Sequence, residues 1–392
     1  MVSSILDNLA PSWVLAALGL LLLVLLVRGM ISARIARRRS RNPVRGLNYL
    51  LNEAPDTDLD ALASGLEVND ATLDAHLALG TLLRRRGEID SAIRLHQGLL
   101  AGPRLGADSR CRVELELARD FLAAGLLNRA ESLLRQLVKH SPLRQAALEQ
   151  MLEVHERERD WHAATSVARQ LADRDADGMA RTLAHYLCEL ADEAWQAGDL
   201  AAARGHLAEA LQRDPQGVRA SMLLGRLELE AGRYRKAIIA LQRIREQDAR
   251  FLPEVLPQLR LAHRELGSER DLLRFLEAGL ALHPSATLAA ALAQHHLRSG
   301  EPDRARKLLA STLSRRPTLR GLQVLLSHHV SMFEDSESGA LAELKDASAR
   351  LLDSVDRYLC EACGFSGSVL HWQCPGCKAW GTTAPRDGIF GD

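Results

Sequence analysis

The amino-acid sequence predicts an all-α repeat protein with one N-terminal transmembrane helix and a small C-terminal metal-binding ribbon. Three observations support this prediction: an uncharged apolar run near the N-terminus, a recurring two-helix pattern, and two Cys-x-x-Cys pairs near the C-terminus. Hydrophobic residues make up 47% of the 392 positions but aromatic residues only 4%, so Leu and Ala supply the core and favour helices. The 50 basic and 50 acidic residues balance, which argues against a nucleic-acid partner.

The apolar run predicts a membrane anchor. Residues 13–27 carry no charge, and the run continues past Arg28 to Ile31. With Arg28 reaching the headgroups, about 19 residues are available, which is enough for one spanning helix. A cleaved signal peptide is the alternative, but Asp7 is the only charged residue before the run and no small-x-small cleavage pattern follows. We therefore predict an N-terminal transmembrane anchor over residues 1–31.

A basic segment over residues 32–42 sets the predicted direction of this anchor. Arginines crowd the C-terminal flank of the apolar run: Arg28, Arg34, Arg37, Arg38, Arg39, Arg41 and Arg45. Positively charged flanks stay in the cytoplasm, so we predict a single-pass protein with a short periplasmic N-terminus and the bulk of the chain cytoplasmic. The same arginines could also contact anionic lipid.

A helical pattern recurs from about residue 43 to residue 330. Its two segments meet at a glycine or a substitute, and successive joints are 33 to 39 residues apart. The joints are Gly87, Gly125, Arg159, Gly198, Gly232, Gly267 and Gly300. A period near 34 residues with two helices per unit is typical of the tetratricopeptide repeat. We predict a tetratricopeptide-repeat superhelix at 43–330, with seven units and a degenerate eighth at 43–72.

Fixed positions around the joints support the repeat. The residue five positions after each joint is small in six of seven units: Ala92, Ala130, Ala164, Ala203, Ala237, Leu272 and Ala305. Prolines that end the second helix stand seventeen positions after four joints: Pro142, Pro215, Pro284 and Pro317. We expect the units that carry Arg159 and Leu272 to pack irregularly or to bend the superhelix. Stacked repeats expose a concave surface that binds peptides or protein segments.

Residues 331–356 connect the array to the C-terminal ribbon. This stretch begins acidic and becomes amphipathic, with an apolar face marked by Leu341, Leu344, Leu351 and Leu352. We predict a linker and a capping helix that leads rigidly into residues 357–392. A flexible linker is the alternative.

The most specific chemical pattern lies in residues 357–392. Cys360-x-x-Cys363 and Cys374-x-x-Cys377 are separated by ten residues. Two facing Cys-x-x-Cys turns complete the tetrahedron of thiolates that zinc, or iron in a mononuclear site, accepts. Gly364 and Gly376 fit tight turns whose backbone N–H groups face sulfur. We predict that these four cysteines bind one metal ion, either iron or zinc.

The sequence lacks signatures of catalysis. It contains no Walker phosphate loop, no Gly-x-Ser-x-Gly elbow and no His-Glu-x-x-His pair. Four thiolates leave no open position for an activated water, so we expect no enzymatic activity. The ribbon has too few cations to follow a nucleic-acid backbone, and we expect Trp372, Trp380 and Phe365 to cover its core or dock it on the repeats.

The combined arrangement resembles the lipopolysaccharide assembly protein B family of Gram-negative bacteria over the whole chain. The strongest local match is to the family's rubredoxin-like ribbon: Cys360, Cys363, Gly364, Phe365, Trp372, Cys374, Pro375, Cys377, Ala379 and Trp380. The resemblance implies an inner-membrane, cytoplasm-facing adaptor that promotes degradation of the deacetylase LpxC by the membrane AAA+ protease FtsH. It also implies an opposing membrane protein that senses lipopolysaccharide.

Two other functions remain open from the sequence. The chain could be a scaffold for lipopolysaccharide assembly or export proteins rather than a proteolysis adaptor. Alternatively, iron bound by the four cysteines could transfer electrons. The loop between the pairs is far shorter than in rubredoxins, which argues against electron transfer.

Overall fold

The computed structural model describes residues 68–102, 105–139, 141–172, 176–330 and 338–392. The predicted anchor, the basic segment and nearly all of the degenerate repeat lie outside these residues. Among the helices that the structure describes, none is long and apolar enough to cross a membrane. The chain divides into two compact units, Met1–Val154 and His155–Asp392.

Helices and one small sheet make up the described residues. The first unit contains α1 (Leu73–Arg85), α2 (Ile89–Ala101), α3 (Ala107–Ala123) and α4 (Leu127–Lys139), and the unit boundary falls within α5 (Arg144–Glu158). The second unit continues with α6 (Trp161–Ala172), α7 (Ala176–Gln196), α8 (Leu200–Arg213), α9 (Val218–Glu230), α10 (Tyr234–Gln242), α11 (Ile244–Gln247), α12 (Leu252–Glu265), α13 (Glu269–Leu282), α14 (Ala286–Arg298), α15 (Pro302–Arg315), α16 (Leu319–Val330) and α17 (Ser338–Asp353).

The joints between paired helices have the backbone conformation that the repeat requires. All six predicted joint glycines have positive φ, between 63° and 85°. Arg159 adopts the same left-handed conformation with φ of 57°. The backbone N–H groups of Arg159 and Asp160 donate to carbonyls in the last turn of α5, as they do after the glycine joints. The backbone at Arg159 therefore has the same conformation as at the glycine joints, although a non-glycine residue is strained there.

Small residues allow the paired helices to approach closely. The six alanines five positions after the joints are fully buried, and Leu272 is also buried. On the facing helix, a Cβ added to Gly225 would overlap the side chain of Leu241. This close contact explains why position 225 is glycine.

A charged cluster is buried within the first unit. Arg84 donates to Asp120 at 2.5 Å and to Glu116 at 2.8 Å. The carboxylate of Asp120 also contacts Nδ1 of His96, and both of these side chains are fully buried. The cluster joins α1, α2 and α3, and a buried carboxylate of this kind is tolerated because it is paired.

The last two helices form another antiparallel pair. α17 lies within the segment for which we predict a linker and a capping helix, and it packs on α16. Its apolar face is only partly covered, since Leu344 is 57% exposed and Leu351 is 55% exposed.

A three-stranded antiparallel sheet follows α17. Its strands are β1 (Tyr358–Cys360), β2 (Ser366–Gly367) and β3 (Thr383–Pro385), in the order β2-β1-β3. β1 lies between its two partners, which places Cys360 at the end of the central strand. So small a sheet cannot bury a sufficient core of its own.

Candidate metal centre

The first cysteine turn continues directly from β1. The N–H of Cys360 donates to the carbonyl of Phe365 at 2.7 Å, and the N–H of Gly364 donates back to Cys360 at 2.9 Å. Gly364 has φ of 78°, a conformation that costs glycine little. The turn therefore closes at Gly364 as the sequence predicts.

The second cysteine turn has the same pattern of backbone hydrogen bonds, but a lysine occupies the left-handed position that Gly364 occupies in the first turn. The N–H of Cys374 donates to Ala379 and the N–H of Lys378 donates to Cys374, both at 2.9 Å. Lys378 holds the left-handed position with φ of 62°, whereas Gly376 has no positive φ. A Cβ at position 376 would lie 3.4 Å from Sγ of Cys363, an ordinary van der Waals distance, so neither backbone conformation nor space requires glycine there.

The two turns bring the four predicted sulfurs together. All four Sγ atoms lie within 4.8 Å of one another. Cys360 and Cys377 are 3.8 Å apart, and Cys363 and Cys374 are 3.6 Å apart. Zinc–sulfur bonds of about 2.3 Å in a tetrahedron require sulfur separations of about 3.8 Å. The four cysteines therefore fit a single tetrahedral ion.

The site has a buried side and a solvent side. Cys360 and Cys374 are buried, whereas Cys363 and Cys377 are exposed. The Thr382 hydroxyl lies 3.3 Å from Sγ of Cys360 and lowers the pKa of that thiol to about 6. Metal ligands of this kind must be deprotonated, so this contact favours the form that binds an ion.

Trp380 docks the ribbon on the helices of the second unit. Its indole Nε1 donates to Oε1 of Glu156 at 2.8 Å, and Gln373 Nε2 lies 3.3 Å from the other carboxylate oxygen. The Tyr186 hydroxyl donates to the same carboxylate. Glu156 therefore accepts hydrogen bonds from two ribbon side chains and from α7.

Aromatic rings surround this hydrogen-bonded carboxylate. The Trp380 ring meets Trp161 and Tyr186 edge-on, with centroids 5.8 Å and 5.7 Å apart. His185 stacks on Trp380 at 5.3 Å, and the Arg219 guanidinium lies 6.0 Å from the same ring. Edge-on and stacked pairs of this kind add stability beyond the buried area. The expectation that tryptophan docks the ribbon on the repeats is confirmed for Trp380.

A second contact region lies around the helical turn before α12. The rings of Trp372 and Phe251 stack with centroids 5.8 Å apart. Arg250 pairs with Glu361 at 2.6 Å, next to a predicted metal ligand. Phe365, in contrast, packs within the ribbon against His371. Trp372 and Glu361 thus form a second contact between the ribbon and the helices, and Phe365 contributes to the interior of the ribbon.

Burial makes His185 a neutral group in this interface. Loss of solvent, and then the positive charges of Arg219 and Arg181, lower the pKa of His185 to about 3. Its Nδ1 has no partner in the described structure, and its Nε2 faces Gly381, where a Cβ would lie 2.7 Å away. Gly381 is thus required both by its φ of 63° and by the His185 ring.

The segment after β3 fastens the ribbon to α14, α15 and α16. Asp392 accepts from the N–H of Thr287 at 3.2 Å and contacts the Ser285 hydroxyl at the start of α14. The N–H of Leu319 donates to the carbonyl of Ile389 at 2.8 Å, and Arg316 pairs with Asp387. A carboxylate at a helix N-terminus is favourable. Sequence reasoning did not find this segment.

The remaining cysteines lie away from the metal centre. Cys188 is buried in α7, and loss of solvent raises the pKa of its thiol to about 12. Cys111 in α3 is half-buried. Neither belongs to the cluster of ligand atoms found in the described part of the chain.

The helical pairs and the cysteine ribbon both match known families. Residues 194–256 match the tetratricopeptide repeat, and residues 358–385 match the rubredoxin metal binding domain. The chain is similar to lipopolysaccharide assembly protein B of Escherichia coli strain K12, with 33% identity over 91% of this chain and 92% of that protein. The Haemophilus influenzae protein of the same name is 28% identical over 90% of this chain and 91% of its own length.

Among solved structures, a tetratricopeptide repeat protein from Parabacteroides merdae is 14% identical. The match covers 71% of this chain and 99% of that chain, with a TM-score of 0.34.

These features define a class of protein: helical-repeat proteins that carry a C-terminal ribbon for one metal ion. Within this class the match to the Escherichia coli protein extends over nearly the full length of both chains. The chain belongs to the lipopolysaccharide assembly protein B family.

Proposed function

We propose that this protein is a non-enzymatic adaptor in lipopolysaccharide assembly. The observation that carries the proposal is the similarity over 91% of the chain to a protein named for lipopolysaccharide assembly. Tetratricopeptide repeats support an adaptor, since stacked helical pairs present extended surfaces to other proteins.

The proposed mechanism is delivery of LpxC to FtsH at the inner membrane. Residues 1–31 anchor the chain, and the basic segment keeps the repeats on the cytoplasmic side. A shared membrane raises the effective concentration of adaptor and protease, so weak contacts between them suffice. A lipopolysaccharide-sensing membrane protein opposes this delivery.

The metal centre has a structural role in this proposal. Cys360, Cys363, Cys374 and Cys377 ligate one ion and fill its tetrahedron, which leaves no position for a substrate or water. Metal binding orders the ribbon, and the Trp380–Glu156 contact fixes the ordered ribbon on the helices. The ion thus shapes a recognition surface instead of carrying out chemistry.

Depletion of the protein while LpxC half-life is followed tests the mechanism. We expect depletion to lengthen the half-life and the full chain to restore it. A chain without residues 1–31 should remain folded but fail to restore it, whereas the same chain with an unrelated single span should succeed. An unchanged LpxC half-life would contradict the proposed delivery.

The scaffold alternative makes a different prediction. A scaffold for assembly or export proteins would crosslink to those proteins in intact membranes and leave LpxC half-life unchanged on depletion. The proposed adaptor crosslinks to FtsH and LpxC.

A further inference from the structure

An open groove runs along the second unit between α12, α13 and α14. Its volume is about 710 Å³, and its walls include Pro257, Leu261, Leu273 and Ala291. Leu261 on α12 is 39% exposed and lines this groove. The groove therefore presents apolar surface to solvent.

The groove continues beyond α14. A second depression of about 440 Å³ lies between α14 and α16, and its walls include Ala290, Ala293 and Leu297. Gln294 lines both depressions. The exposed apolar surface thus extends across α12, α14 and α16, the first helices of successive pairs. An elongated ligand fits such a surface better than a compact one.

Two arginines, Arg260 and Arg298, donate hydrogen bonds to the neutral residue Gln294 and not to a carboxylate. Arg260 Nη2 donates to Oε1 of Gln294 at 3.1 Å, and Arg298 Nε donates to its backbone carbonyl at 3.4 Å. Among the described residues, neither guanidinium has an acidic side chain within ion-pair distance. Most other arginines on these helices pair with a nearby Asp or Glu, as Arg264 does with Glu265.

The charges that line the groove leave it positive. Arg260, Arg264 and Arg298 line its walls, and Glu269 is the one acidic side chain among the lining residues of the described structure. Guanidiniums bind carboxylates through charge-assisted, often bidentate hydrogen bonds that a neutral amide cannot match. A carboxylate that enters beside Gln294 would therefore form ion pairs with guanidinium groups that have no acidic partner within the described part of the protein.

We propose that this groove binds a protein segment in which an acidic side chain lies between apolar side chains. The acidic side chain pairs with Arg260 and Arg298, and its apolar neighbours pack on Leu261 and on the alanines of α14. This inference rests on the proposed adaptor function and names the chemical class of its client segment. A segment is favoured over a small amphiphile because the exposed apolar surface extends past Gln294 into the second depression.

A peptide array tests the assignment on the purified full chain in detergent micelles. Each peptide has nine residues, with Leu, Met or Phe at varied positions and Asp, Glu, Asn, Gln or Lys at the centre. We expect binding to favour Asp and Glu over the matching amides by roughly tenfold, the scale of one charge-assisted hydrogen bond. Arg260→Gln combined with Arg298→Gln should abolish that preference.

Two variants separate recognition from misfolding. The matched control, Arg235→Gln with Arg274→Gln, removes two exposed arginines outside the groove and should keep the acidic preference. The charge reversal, Arg260→Glu with Arg298→Glu, should shift the preference to peptides with a central Lys. A misfolded groove cannot produce this reversal. Equal binding of acidic and amide peptides, or unchanged selectivity in the reversed protein, would overturn the proposal.

A short-chain phosphatidylglycerol provides the competing probe. If this lipid binds in an arginine-dependent manner and no peptide does, the groove is a lipid site and the proposal is wrong. The adaptor function is tested separately by LpxC half-life. If the protein regulates LpxC but its groove shows no preference for acidic peptides, the groove proposal is wrong and the adaptor proposal still stands.

Discussion

The Trp380 indole donates a 2.8 Å hydrogen bond to Glu156, a residue 224 positions earlier in the chain. Trp380 follows the second cysteine turn of the ribbon, and Glu156 lies in the last turn of α5. The Glu156 carboxylate thus joins two ribbon side chains, Trp380 and Gln373, to the helices.

We predict that Glu156→Ala weakens this docking by about 3 kcal/mol, since several donors lose a charged acceptor. Amide hydrogen exchange should show faster exchange in residues 358–385, while bound metal stays at one ion per chain because its ligands are untouched. Glu193→Ala, which removes an exposed carboxylate from α7, is the matched control and should change neither quantity. Equal exchange in both variants would show that Glu156 does not hold the ribbon.

Removal of one cysteine should release the ion. We predict that Cys374→Ser lowers bound metal well below one ion per chain and unfolds the ribbon, because metal binding supplies most of its folding free energy. Elemental analysis and proteolysis of the C-terminal region measure both effects. Cys111→Ser removes a thiol outside the ribbon and should retain the ion. Full metal content in Cys374→Ser would contradict the four-cysteine assignment.

Acidification should destabilise the second unit through His185. Burial holds its pKa at about 3, below the ordinary value of 6.5, so the unfolded chain takes up the proton first. The stabilising contribution is complete above about pH 6.5 and is lost as the pH falls toward 3, at up to about 1.4 kcal/mol per pH unit.

Urea unfolding between pH 7.5 and pH 4.5 measures this effect. The free energy of unfolding should fall more steeply with decreasing pH in the wild type than in His185→Gln. The difference between the two slopes should correspond to the uptake of about one proton on unfolding. Identical slopes in the two proteins would mean that His185 does not titrate on unfolding.

Relief of backbone strain should stabilise the protein at Arg159. We predict that Arg159→Gly raises the free energy of unfolding by about 1 kcal/mol, because glycine adopts the left-handed conformation without a Cβ clash. The reciprocal change, Gly198→Arg, should lower it by about the same amount. Thermal unfolding of both variants gives the comparison, and a destabilised Arg159→Gly would show that this side chain makes a contact worth more than the strain.

Removal of the central carboxylate in the first unit should be costly. Asp120→Ala leaves the buried His96 and the Arg84 guanidinium without their shared acceptor, and we predict a loss of about 3–5 kcal/mol. Denaturant unfolding followed by circular dichroism measures the loss. Asp108→Ala, at an exposed position in the same helix, is the control. A loss below 1 kcal/mol for Asp120→Ala would contradict the paired arrangement.

The repeat and the cysteine site could be predicted because they obey local rules. Glycine at a joint reports a positive φ, and an alanine five positions later reports a close helix crossing, so both appear as a period in the sequence. A Cys-x-x-Cys turn likewise brings two sulfurs together through its own backbone. These features need only short-range information.

The docking of the ribbon could not be predicted because it depends on long-range contacts. Nothing around Glu156 or His185 distinguishes them from other polar residues on an amphipathic helix. Lys378 was missed for a different reason: it occupies a glycine-like conformation without the residue type that signals one. The fastening of Asp392 to the start of α14 also joins residues more than a hundred positions apart.

Degradation of LpxC by FtsH in nanodiscs, with and without the purified full chain, tests the adaptor account most directly. We predict that the chain with its metal accelerates LpxC loss without being consumed, and that Cys374→Ser does not. Equal rates of LpxC loss in the presence and absence of the wild-type chain would contradict the account.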